Sequence, residues 1–216
     1  MHTNWKRSAI LTVTLAATAA ATAAAQARAV KAISQTDVSL SLYGAFSGST
    51  SGDGFAESPS NAAGGMIALR HIDNPLFGYE ATYSFNRANQ VYAPLACPAT
   101  GITPGCDPAQ AVSANAHEIA GNWVVSLKLA NIRPFALAGV GLLFNQPASG
   151  QANTTSSDKG VFVYGIGLDW GLAPHLGLRL QYRGNVYKAP DLSTVFGSST
   201  QFEHTGEPMI GAYLRF

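Results

Sequence analysis

From residue 36 onward the chain alternates apolar and polar side chains in stretches of about ten residues, a two-residue period that admits strands and excludes amphipathic helices. Eight such stretches run over 36–47, 62–72, 78–90, 115–129, 133–145, 160–170, 176–187 and 205–216. In the third, Tyr79, Ala81, Tyr83 and Phe85 oppose Glu80, Thr82, Ser84 and Asn86. In the seventh, Leu176, Leu178, Leu180 and Tyr182 oppose Arg179, Gln181, Arg183 and Asn185. The first, fourth and sixth are in phase with this pattern. The fifth, residues 135–144, is apolar on both sides and its orientation is left open.

Alternation does not say which face is interior. A soluble barrel buries its apolar side; a membrane barrel turns that side to lipid and fills its lumen with polar groups. Two features favour the inverted arrangement. Only 12% of the residues are charged, and beyond the amino terminus Lys occurs only at 31, 128, 159 and 188, so the polar faces are unlike a soluble surface dense in Lys and Glu. Aromatic residues also gather near stretch ends, as Tyr79, Trp123, Trp170, Tyr187 and Tyr213 do, which suits interfacial girdles. The connections carry a further signal. Long segments (48–61, 92–114, 146–159, 188–204) alternate with short ones (73–77, 130–132, 171–175). Outer-membrane barrels sort their connections in this way, with long loops outside and short turns in the periplasm. The expected fold is therefore an all-β, eight-stranded, antiparallel, up-and-down transmembrane barrel over 36–216.

The amino terminus fits that destination. Lys6 and Arg7 precede the uncharged stretch 9–25, and Ala25-Gln26-Ala27 supplies a small-x-small cleavage pattern, so residues 1–27 read as an export signal and 28–35 as a short periplasmic lead-in. Removing the signal takes Lys6 and Arg7 from a total of 13 basic against 12 acidic residues. That balance leaves no clustered positive excess for nucleic acid.

The stretches 78–85, 133–141, 176–184 and 210–216 resemble the small outer-membrane β-barrel superfamily that includes the outer-membrane protein A type and the opacity-type surface proteins. The resemblance implies bacterial outer-membrane localisation and contact with outer-membrane lipid. It also implies that Ile210, Ala212, Leu214 and the terminal Phe216 form the signal read by the outer-membrane assembly machinery. It identifies an architecture better than an activity.

The chemistry-bearing residues point mostly inward. Arg70, Glu80, Lys128, Asp169, Arg179 and Arg215 lie within a few residues of the short turns, and Glu118 and Arg183 sit higher. An eight-stranded barrel is just wide enough for side chains to fill, and isolated buried ions are costly. Glu80 and Asp169 are therefore expected to be bridged by Arg70, Arg179 and Arg215 in a network that plugs the lumen. Cys97 and Cys106, in one exported Pro-punctuated loop, are expected to form a disulfide. No catalytic residue, cofactor or metal is expected. His71, His117, His175 and His204 lack ligand spacing. The Gly139-Val140-Gly141 and Gly165-Ile166-Gly167 motifs open no helix, so they are not nucleotide loops. The leading function is structural or surface-interacting, with an unidentified ligand met by the loops. A narrow porin is the alternative, and a rim-located lipid-modifying enzyme, using His117-Glu118 or His204 with Glu207, is a minor one.

Overall fold

The computed structural model describes residues 36–74, 76–95 and 108–216. The signal segment, the lead-in and both cysteines lie outside these residues. Eight antiparallel strands form the wall: β1 (Thr36–Ser47), β4 (Ala62–Ile72), β5 (Phe77–Pro94), β6 (Gln110–Ser126), β7 (Ile132–Pro147), β8 (Ser157–Gly171), β9 (Leu176–Lys188) and β10 (Phe202–Arg215). Each pairs with its neighbours in the chain, and β1 closes the ring against β10 in a register running from Asp37↔Arg215 to Ser47↔Thr205. Closure leaves the wall without unpaired backbone edges, the condition for crossing hydrocarbon.

The phase of alternation is inverted relative to a soluble barrel. Leu40, Leu42, Trp123 and Ile166 point outward and are 63 to 69% exposed, while Glu80, Asp169, Arg179 and Arg183 point inward and are buried. Burying one such apolar side chain is worth about 1.5 to 3 kcal/mol, so a whole wall of them is stable only in apolar surroundings. The ambiguous fifth stretch resolves the same way: Phe135, Leu137 and Leu143 are inward and buried, and Ala136, Val140 and Leu142 are outward.

The strands extend past the sequence-derived limits at the end carrying the long connections. β5 and β6 pair as far as Tyr92↔Gln110, so much of the expected 92–114 loop is sheet. The first long connection holds an added hairpin, β2 (Thr50–Gly52) and β3 (Phe55–Pro59), whose second strand pairs with the extension of β5 from Phe55↔Pro94 to Pro59↔Gln90. Asp53 and Gly54 close it with φ of 54° and 91°, as a tight two-residue hairpin turn requires. Phe55, Tyr92, Val112 and Leu192 then form an apolar cluster over this end, with Phe196 packed on it. The Tyr92 hydroxyl donates to the Pro190 carbonyl and accepts from the Leu192 N–H at 3.0 Å, which ties the last long connection to the cap.

Two aromatics expected in the outer girdles face the lumen instead. Tyr187 shares the phase of Arg179, Arg183 and Asn185, and Tyr213 that of Met209; Tyr213 is 3% exposed. Period-2 geometry therefore carries both inward. A Cβ at Gly177 would overlap the Tyr213 ring, and one at Gly167 the Phe135 ring. Glycine at these two positions lets a large ring lie flat against the wall.

Candidate functional site

The register builds a charged tier near the short turns. Arg70 is directly opposite Asp37 on β1 and Glu80 on β5, and Asp169 is opposite Arg179. These three strand pairs thus deliver two guanidinium groups and three carboxylates to one level. Arg70 Nε donates to Glu80 Oε2 at 2.7 Å, and Arg70 Nη1 to Asp169 Oδ2 at 3.2 Å. Arg179 grips Asp169 through Nε (2.7 Å) and Nη2 (3.1 Å), Asp37 through Nη2 (3.0 Å) and Ser39 through Nη1 (2.9 Å). Glu80 Oε2 lies 3.7 Å from Arg179 Nη1 and so joins the two halves. All five charged side chains are at most 2% exposed. The guanidinium of Arg70 lies 4.0 Å from the centre of the Phe135 ring, and that of Arg179 lies 5.4 Å from the centre of the Tyr213 ring. Ring faces thus stabilise the cations where water does not reach.

A second tier lies four residues further along β9, roughly 13 Å of strand. Arg183 Nη2 donates to Glu118 Oε1 across the lumen, and Arg183 Nε lies 3.9 Å from Glu207 Oε2 on the adjacent strand. Asn185 Nδ2 donates to Glu118 at 2.9 Å and to Glu207 at 3.2 Å. Met209 lies between the tiers, opposite Gln181, and Met66, level with Glu118 through Ser84, accepts at Sδ from Arg183 Nη1 at 3.0 Å.

Six of the eight predicted lumen charges therefore converge: Arg70, Glu80, Asp169 and Arg179 below, Glu118 and Arg183 above. Two do not. Lys128 lies beyond the end of β6 at Ser126 and is exposed, because a strongly hydrated ammonium on a flexible stem stays in water. Arg215 is half-buried at the mouth. Its register partner Asp37 is held by Arg179, and Tyr213 occupies the level between, so the Arg215 guanidinium lies 5.3 Å from the Tyr213 ring centre and pairs with no carboxylate among the described residues. The network instead holds a third carboxylate, Asp37, bound by Arg179. It was legible, since Asp37 is one step before Ser39 and Ser41 in the inward phase. Phe135 was hidden by a stretch apolar on both faces, and Glu203 by its position in a presumed loop.

The candidate rim pairs are split by the wall. Glu118 and Glu207 are buried and inward. His204 is exposed, with its Nε2 2.7 Å from the Tyr164 hydroxyl, and His117 Nδ1 is 2.9 Å from the Tyr83 hydroxyl, both bonds on the outward side. On the terminal strand Ile210, Ala212, Leu214 and Phe216 all point outward.

The family described as outer membrane protein beta-barrel domain matches residues 12–202. Neisserial surface protein A is similar in structure, with a TM-score of 0.55 at 14% identity over 85% of this chain and 98% of that one. The outer membrane protein OprG of Pseudomonas aeruginosa gives a TM-score of 0.57 at 10% identity, covering 86% and 97%. Ail, the attachment invasion locus protein of Yersinia pestis, gives 0.50 at 14% identity, covering 84% and 97%. At these identities the likeness speaks for the fold. No curated protein matches the chain.

Proposed function

The chain belongs to the outer membrane protein β-barrel domain family and lies in the bacterial outer membrane, and from that premise we propose that it is a closed barrel that presents an interaction surface. The long connections face the cell exterior in this reading, and the lumen is plugged by charged side chains. The observation that carries it is the lower tier, where Arg70, Arg179, Asp37, Glu80 and Asp169 span the lumen from five strands with almost no solvent exposure. The cap supports the second half of the reading. The β2–β3 hairpin, the extended β5–β6 ladder and the 189–201 segment pack on Tyr92 and Phe55, and Asp53 Oδ2 accepts from the Thr200 N–H at 3.0 Å. These contacts hold the described parts of the long connections as one defined surface, as recognition of a partner requires. Outer-membrane lipid is the partner of the apolar wall. The outward row Ile210, Ala212, Leu214 and Phe216 is the segment offered to the assembly machinery.

A narrow porin is the second reading, favoured by Ser41 Oγ and both polar atoms of Gln181, which are buried between the tiers with no hydrogen-bond partner. Potassium efflux from proteoliposomes separates the two. The closed-barrel reading expects efflux no faster than from protein-free vesicles, and efflux scaling with protein content would replace it with the porin.

A further inference from the structure

Above the second tier the lumen opens into a chamber lined by Glu118, Asn185, Glu203 and Glu207, with Tyr187 beside Glu203 and Leu143 beside Glu118. Three carboxylates there face one cation, Arg183, which is already engaged by Glu118 and lies 3.9 Å from Glu207. Glu203 and Glu207 are each 3% exposed. Each has one oxygen engaged: Glu203 Oε1 accepts from the Tyr187 hydroxyl at 3.1 Å, and Glu207 Oε1 accepts from Asn185 Nδ2 at 3.2 Å. Their second oxygens, and Asn185 Oδ1, have no hydrogen-bond partner among the described residues. All three unmet atoms are acceptors.

Of the neighbouring donors, Arg183 Nε is unmet but lies 3.9 Å from Glu207 Oε2, beyond hydrogen-bond reach, and the hydroxyl and ammonium donors are committed elsewhere. Ser47 and Thr205 share a hydroxyl pair at 2.6 Å, the Tyr187 hydroxyl lies 2.9 Å from Thr205, and Lys159 is bound to Asp191 at 2.5 Å. Buried acceptors without donors, in a chamber with excess negative charge, call for a ligand that brings N–H groups, positive charge and no acceptor of its own. Ammonium and guanidinium groups have that inventory. Among the described residues no three His, Cys, Asp or Glu side chains converge in a metal-holding cluster. The Tyr187 ring and the Leu143 side chain also line the chamber, which suits a cation with a hydrocarbon body.

We propose that this chamber is a binding site for a small organic cation of the alkylammonium or alkylguanidinium class. The charged head meets the free oxygens of Glu203 and Glu207, and the alkyl body lies against Tyr187 and Leu143. The site does not depend on whether the lower tier seals the lumen. A barrel that leaked potassium yet bound the cation would reject the closed-barrel reading and keep this one.

Isothermal titration of the refolded full barrel in zwitterionic detergent tests it, with n-butylammonium and n-butylguanidinium as probes and n-butanol and calcium as comparators. The expected result is saturable one-to-one binding of a cationic probe, weakened at least tenfold by Glu203→Gln and lost in Glu203→Gln with Glu207→Gln. Glu203 lies outside the Arg183 pairs, so Glu203→Gln alone carries the test if the double variant does not fold. Absence of binding by both cationic probes, equal binding of n-butanol, tighter binding of calcium, or affinity unchanged by Glu203→Gln would each overturn the proposal.

Discussion

Replacing Arg179 by Met tests the lower tier at its most connected point. Arg179 bonds Asp169 twice, Asp37 once and Ser39 once, and neighbours Glu80. Methionine fits the space left by the aliphatic stem but removes the cation, so Asp37, Asp169 and Glu80 are left facing Arg70 alone. Removing one partner of a buried ion pair costs about 3 to 5 kcal/mol, because the remaining charges stay desolvated and unpaired. With a urea slope of about 2 kcal/mol per molar, that is a fall in unfolding midpoint of roughly 1.5 to 2.5 M. Urea unfolding of the barrel refolded in lipid vesicles, followed by tryptophan fluorescence, reads it directly. Adding Asp169→Asn to the variant removes one surplus carboxylate and should recover part of the loss, since the two positions are coupled. A midpoint shift below about 0.3 M at unchanged slope, with no recovery in the double variant, would show that the tier contributes little and that these charges are hydrated.

Glu57, on the cap hairpin, is pushed up to about 7, first by burial and then by the nearby carboxylates Glu203 and Asp191. A carboxyl raised above its ordinary value stabilises the cap fully below pH about 4.5 and loses that contribution as pH rises through about 7, a difference of about 3 kcal/mol. Amide exchange in 50–59 should therefore quicken through neutral pH beyond its intrinsic rate, and Glu57→Gln should abolish that excess; a pH-independent cap would refute it. Cys97 and Cys106 should form a bond worth roughly 2 to 3 kcal/mol to their loop, with no free thiol in denatured, unreduced protein; two thiols would disprove the pairing. On intact cells an impermeant maleimide should label Ser51→Cys and spare Asn74→Cys, and the reverse pattern would invert the assigned topology.

The wall was readable because a strand's period is two and a barrel has only two faces. Once the polar phase of 62–72, 78–90, 160–170 and 176–187 is set inward, Arg70, Glu80, Asp169, Arg179 and Arg183 follow by parity alone. The same parity places Tyr187 and Tyr213 inward; proximity to a strand end suggested a girdle, but alternation decides the side. Partner choice was less legible. Which guanidinium meets which carboxylate depends on strand tilt and on what fills the level between, and Tyr213 keeps Arg215 at the mouth while Asp37 completes the tier. The cap was the least legible part. Asp53-Gly54 is a hairpin signal in its own right, yet the flanking Gly and Ser residues made 48–61 read as a bare loop, and the pairing of β3 with the far end of β5 is a long-range contact that no local pattern encodes.

Planar-bilayer recording on the refolded protein tests most directly whether the lower tier closes the lumen. The unaltered barrel should hold a closed baseline. Glu80→Ala removes the carboxylate that accepts from Arg70 and links it to Arg179, so it should introduce discrete openings and lower thermal stability together. Steady conductance through the unaltered barrel, with both conductance and stability unchanged in Glu80→Ala, would contradict the plug and put a water-filled channel in its place.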